Sequence, residues 1–249
     1  MTDTGSKITT KNTVKDLGVI LNSNLKYDDH IEKIISKVNG ICSWILHIFQ
    51  NRNREVLLTL LKSLVLPHLD YCSQLWSPTK RSLIQRLESL QRSFFRKLSS
   101  VNNLNYWEQL KKLKMYSLER RRERYRILYT WYILEGSVPN FDFEGTLGDI
   151  HHYGNLIIGR MCRPKTVKSH GSKNIWRGSL SEEGPRLFNS LPKKLRNLHG
   201  CSKDHFKKQL DHFLCTVPDE PLLQGYLPFR RADSNSLSVM VKHPNFQFG

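Results

Sequence analysis

The sequence predicts a mainly α-helical protein: a short N-terminal strand, a helical bundle, then a loop-rich region with a few short strands and C-terminal helices. Three observations predict it. Apolar residues recur at intervals of three and four over long stretches, the period of one helix face. A β-branched run, VKDLGVIL at 14–21, opens the chain. Glycine, histidine, serine and asparagine rise between 137 and 182, and there the periodicity fades.

Residues 14–21 form the strand and 22–27 its exit turn. Ile31, Ile34, Ile35, Val38, Ile41, Cys42, Ile45, Leu46 and Phe49 then mark an amphipathic helix over 29–50. Asp28 and Asp29 stand just before it. Paired carboxylates hold the metal ions of polymerases, but at the tip of a strand–turn–strand hairpin. Here a helix follows at once, so one of the two reads as an N-cap, favoured by the helix dipole. Residues 53–66 are apolar nearly all round, a central buried helix that Pro67 ends or kinks. The segment HLDYCSQLW continues as a short helical turn, with Tyr71 and Trp76 as packing residues.

A third helix covers 79–99, its stripe formed by Leu83, Leu87, Leu90, Phe94 and Leu98. Arg81, Arg92 and Arg96 fall in a narrow sector of another face. Three helices with short links make an antiparallel bundle. A short helix at 106–113 and a longer one at 117–135 follow. The longer helix carries five arginines within 120–126, at the end where the dipole disfavours cations. Something anionic must compensate, either a phosphate backbone or acids from neighbouring helices. Segments 156–162 and 173–178 read as short strands in a basic, aromatic region, either a nucleic-acid surface or a solvated linker. EEGPRLFNSLPKKLRN, 182–197, reads as a short helix stopped before Pro192, and 203–216 as an amphipathic helix burying Phe206, Leu210, Phe213 and Leu214. Residues 218–249 form a tail without pattern.

The chain has 249 residues, with 39 Lys and Arg against 22 Asp and Glu, a formal charge of +17. An excess of this size suits a polyanionic partner, nucleic acid before an anionic membrane. The N-terminus has no signal-peptide pattern and no apolar run approaches the length of a membrane span. The five cysteines are widely spaced, with Cys42 and Cys72 reading as small core residues. These features predict an intracellular protein, nuclear or cytoplasmic. Cys201, His205, His212 and Cys215 have a spacing that tempts a zinc reading, but no tight knuckle precedes them. Neither a GxSxG nucleophile frame nor a phosphate loop occurs. Local reading gives a basic, helical binding domain without a visible active site.

VKDLGVILNSNLKYDDHI, followed by a helix and then LVLPHLDYCSQLWSP, resembles the C-terminal part of reverse transcriptases from non-LTR retrotransposons, closest to the jockey, CR1 and L2-like lineages. There a strand carrying an LG pair, here Leu17-Gly18, leaves the palm, and an HI pair, here His30-Ile31, opens the first thumb helix. The second thumb helix ends in a P-x-L-x-Y motif, here Pro67 to Tyr71, with Trp76 shortly after. SLERRRERYRILYTWYIL is similar to the Arg-rich helix beyond the thumb. EGPRLFNSLPKKLR is similar to a WNxLP segment, with Phe188 in place of the usual Trp, and FKKQL follows as in that family. The likeness covers about 13–217.

The resemblance implies a palm-exit remnant at 1–27, a thumb-like bundle at 28–136, a connection region at 137–217 and a tail at 218–249. It also implies that the catalytic aspartates lie in palm segments preceding this chain. The implied activity is that of an RNA-directed DNA polymerase fragment that grips a primer–template duplex of RNA and DNA but does not polymerise. No cofactor is expected in this chain, Mg²⁺ belonging to the full-length polymerase, and the missing palm and fingers of a longer polyprotein are further expected partners. A thumb holds a duplex by its backbone, which makes Arg81, Arg92, Arg96, Arg120, Arg121, Arg122, Arg124, Lys165 and Lys168 the candidate phosphate contacts. The alternatives are an exapted stand-alone nucleic-acid-binding or scaffold protein, or a non-functional remnant.

Overall fold

A computed structural model describes residues 11–24, 26–50, 53–138, 178–221 and 234–242. The protein is mainly helical, with one short antiparallel strand pair at its N-terminus. The predicted single strand is a hairpin: β1 (Thr13–Asp16) pairs with β2 (Val19–Asn22) in the register Asp16 to Val19 and Thr13 to Asn22. Leu17 and Gly18 form the turn, with φ of 43° and 89°. Two successive left-handed residues match the twist of a tight hairpin, and glycine takes its share without steric cost. Leu17 holds the costlier conformation, and the Tyr71 hydroxyl donates to its carbonyl at 2.8 Å. Tyr71 is 53% exposed, so it is a clasp on the hairpin rather than the packing residue expected.

Helix α1 (Asp28–Ile48) begins one residue earlier than its apolar pattern predicts. Neither aspartate is the cap: Tyr27 occupies that position without a side-chain bond. Asp28 and Asp29 lie in the first turn, where the dipole favours acids. Asp28 is paired with Lys80, and Asp29 accepts from the Asn22 amide at 2.9 Å. His30, buried beside them, accepts the Ile20 N–H on Nδ1 at 3.3 Å and meets the Trp76 ring edge-on, 5.6 Å between centroids. These contacts join hairpin, α1 and the later helices.

The central helix is interrupted rather than ended by Pro67. Helix α2 (Arg54–Leu60), capped by Asn53, passes through a π-helical turn (Leu61–Val65) into α3 (Leu66–Asp70), with Pro67 in the first turn of α3. The wider turn lets the chain continue past a residue that lacks an N–H donor. Cys72, left-handed at φ 51°, turns the chain into α4 (Ser73–Trp76). Helix α5 (Arg81–Phe95) and α6 (Tyr106–Leu113) complete the first unit, α6 being started by a capping box between Asn105 and Glu108. Ile31, Val38, Ile45, Leu57, Leu61, Trp76, Leu87 and Phe95 are all buried in this one core.

Helix α7 (Leu118–Leu134) joins that core to a second one. Its apolar half, Ile127, Leu128, Trp131 and Leu134, packs with α8 (Leu180–Phe188), α9 (Lys193–Arg196) and α10 (Lys203–Thr216). Trp131 stacks on Phe206, with ring planes 6° apart and 4.4 Å between centroids. Gly184 marks where α8 presses on α7: a Cβ there would lie 2.5 Å from the Thr130 hydroxyl. The short α11 (Leu237–Met240) also enters this core, with Leu237 and Met240 buried. Within the stretch expected to be a patternless tail, residues 237–240 thus form a helix. The strands expected at 156–162 and 173–178 lie essentially outside the described residues.

Candidate functional site

The charged half of α7 faces inward. Ser117 caps the helix, its hydroxyl accepting from the Arg120 N–H at 3.1 Å. Asp219 accepts from the Ser117 N–H and hydroxyl at 2.7 and 2.8 Å, and Glu88 of α5 accepts from the N–H groups of Leu118 and Glu119 at 3.0 and 3.3 Å. Two carboxylates thus satisfy the helix start, as the dipole requires.

The arginines follow the same logic. Arg120 is fully buried and donates to the carbonyls of Pro218 and Asn235 at 3.0 and 2.9 Å, with Glu123 3.6 Å away. Arg121 forms a bidentate pair with Asp70 at 2.8 and 2.6 Å, and Arg124 another with Asp211 at 2.5 and 2.7 Å. Arg122 is buried, its charge opposed by Glu88, Glu119 and Glu123, and burial lowers its pKa. Arg126 donates to the Gly178 carbonyl at 2.7 Å, and burial lowers its pKa to about 10. Arg120 and Arg122 are thus buried, and Arg121 and Arg124 are held in pairs with acids of the fold. Acids brought in from α3, α5, α10 and the segment after α10 compensate them.

The sector read on α5 also divides. Arg81 pairs with Glu119 at 2.7 Å, and Arg92 lies over the Tyr106 ring, 4.9 Å from its centroid. Arg96 is exposed near the end of α5, beside Lys97. Lys165 and Lys168 lie outside the described residues. Among the described residues no group of three metal-capable side chains converges, so Cys201, His205, His212 and Cys215 do not come together as a zinc site. The Cys215 thiol instead meets the Tyr116 hydroxyl at 3.5 Å.

The sequence reading missed the outer face of α1. Lys33, Lys37, Gly40, Trp44 and His47 are exposed and recur at three- and four-residue steps. Trp44 is 55% exposed and Ile48 50%. From Lys33 to Ile48 the helix contains no acid. Glu32, just before, turns the other way to pair with Arg86 of α5. Beside this strip the π-turn and α3 present Lys62, Leu64 and His68. His68 is half-buried, and its pKa is lowered by partial burial and by the charge of Lys37. The available signal was a tryptophan off the apolar stripe of a helix whose core positions were already filled.

No family model matches the chain, and no solved structure matches it. A curated protein of Caenorhabditis elegans, itself uncharacterized, is 28% identical over 119 residues, 47% of this chain and 60% of that protein's length. The match thus spans less than two thirds of that relative. Among the described residues no helix is long and apolar enough to cross a membrane.

Proposed function

We propose that this chain is the thumb-and-connection part of a retrotransposon RNA-directed DNA polymerase, and that by itself it grips nucleic acid without polymerising. The observation that carries the gripping role is the stretch of α1 from Lys33 to Ile48, which holds no acid and where Lys33 and Lys37 stand exposed while the charges of α7 are neutralised within the fold. The formal charge of +17 gives that face a favourable field for a polyanion. The order of the parts supports the polymerase reading: a hairpin bearing Leu17-Gly18, a long amphipathic helix opened by His30-Ile31, then a buried helix ending in Pro67 to Tyr71. Asp28 and Asp29, tied to Lys80 and Asn22, have a structural role that leaves no paired-carboxylate centre in them.

The site residues of the proposal are Lys33 and Lys37 on α1 and His68 on α3, with Arg96 and Lys97, just past the end of α5, as secondary contacts. The purified 249-residue chain, offered a primed template, Mg²⁺ and nucleotides, should bind the template and add no nucleotide. Primer extension would overturn the non-catalytic part of the reading, and absence of template binding at low salt would overturn the gripping part.

A further inference from the structure

We infer that the outer strip of α1 is a binding track for single-stranded nucleic acid, with phosphates at Lys33 and Lys37 and an unstacked base on Trp44. The inference rests on the nucleic-acid reading above and narrows its ligand.

Three observations on one helix face converge. First, a tryptophan more than half exposed projects from the middle of a rigid helix, although the same helix buries six other side chains in the core. An exposed indole in line with two lysines is an arrangement that holds bases by stacking, since every base offers a π-face. Second, the strip carries the exposed Lys33 and Lys37 with no acid between Lys33 and Ile48, and Asp29, one turn before Lys33, is held by the Asn22 amide. Lys33 and Lys37 are one turn apart, about 6 Å along the axis, and Trp44 is about 10 Å beyond Lys37. Third, Gly40 sits between them. Glycine in a helix interior lowers stability relative to alanine, so its presence calls for a reason. Among the described residues there is none: a Cβ at Gly40 would meet nothing of theirs within 4 Å. A reason outside the chain is close approach of a ligand to the helix backbone between the lysines and the indole. A duplex would keep its bases stacked on each other and leave the indole unused. A single strand uses the lysines, the glycine gap and the indole together.

The test is equilibrium binding of the full chain to labelled single strands and to a blunt duplex of the same length, at one salt concentration, with DNA and RNA versions of each. The expected result is tighter binding of the single strands. Trp44→Ala should weaken single-strand binding about tenfold and duplex binding less than about threefold. Trp44→Phe, which keeps a stacking face, should recover most of the loss. Gly40→Gln should raise the melting temperature yet weaken single-strand binding, a combination that misfolding does not give. Unchanged single-strand affinity in Trp44→Ala, or equal losses for both polymers, overturns the track while leaving nucleic-acid gripping intact. Failure of the wild-type chain to bind either polymer overturns both. A wild-type dimer that Trp44→Ala converts to a monomer would give the strip to a second copy and overturn the inference as well.

Discussion

Glu88 shows at the scale of one residue how this basic chain is held together. It lies in the interior, where burial raises its pKa, while the Tyr106 hydroxyl, Arg122 and the Leu118 N–H favour its charged form. Its two oxygens accept from Tyr106, Leu118 and Glu119, so one side chain ties α5 to α6 and to the start of α7. Glu88→Ala leaves three buried donors without an acceptor and removes an anion facing Arg122. We expect a loss of about 3 kcal/mol in urea unfolding. Tyr106→Phe removes one donor and should cost about 1 kcal/mol. Equal small effects from both would contradict the role given to the carboxylate. None of this was legible at the residue itself. The stripe of α5 could be read as apolar, but Glu88's neighbours are 18, 30 and 31 residues away in sequence.

Among the elements, the period of the apolar residues placed α1, α5 and α10 to within a few residues of their observed ends. Their burial is set by spacing that each segment carries locally. The hairpin was misread because its turn is only Leu17-Gly18, and a leucine in left-handed conformation gives no sequence warning. The role of the α7 arginines was open between phosphate and protein acids. Their partners, Asp70, Asp211 and the carbonyls at Pro218 and Asn235, become neighbours only through packing. Helix α11 was invisible for the same reason: four residues carry no period.

Its attachment makes a prediction about pH. Glu123 accepts from the Ser236 hydroxyl at 2.5 Å and the Leu237 N–H at 2.9 Å, so it holds the start of α11. Burial pushes its carboxyl from the usual 4.5 to about 7, against Arg120, with Glu119 raising it further. Below about 4.5 both folded and unfolded chains hold the proton. Between about 4.5 and about 7 the folded chain holds it and the unfolded chain does not, so this residue's contribution to stability falls as pH rises through that window. Burial also raises the pKa of Asp219, which shares Arg120, and adds to the same slope. Glu123→Gln should flatten the decline, read as urea midpoints from pH 5 to pH 8. A slope unchanged by the substitution would remove Glu123 as its source.

For the whole molecule, charge is distributed unevenly between inside and outside. The acids Asp70, Glu88, Glu119, Glu123, Asp211 and Asp219 are engaged with α7, and Glu32 with Arg86. These seven of the chain's 22 acids are turned to internal or side-by-side pairs, and Lys33 and Lys37 of α1 stand exposed outside that network. The sequence showed the sign and size of the charge excess but not its location. The arginine-rich helix drew attention by composition, yet its guanidinium groups are held inside, while two lysines on an otherwise apolar-looking helix remain outside. Gripping of nucleic acid should therefore depend on α1 and tolerate the loss of charge at a side chain already neutralised within the protein. The most direct measurement is binding of the full chain to a primer–template duplex, titrated between about 50 and 200 mM salt. The double variant Lys33→Gln with Lys37→Gln is compared with wild type and with Arg124→Gln, whose charge is already paired with Asp211 and whose loss should leave the slope unchanged. The expected wild-type affinity falls steeply with salt, and the double variant binds more weakly at every salt with a log–log slope smaller by about 2. A flat salt response, or a double variant with the wild-type slope, would contradict a phosphate grip on this face.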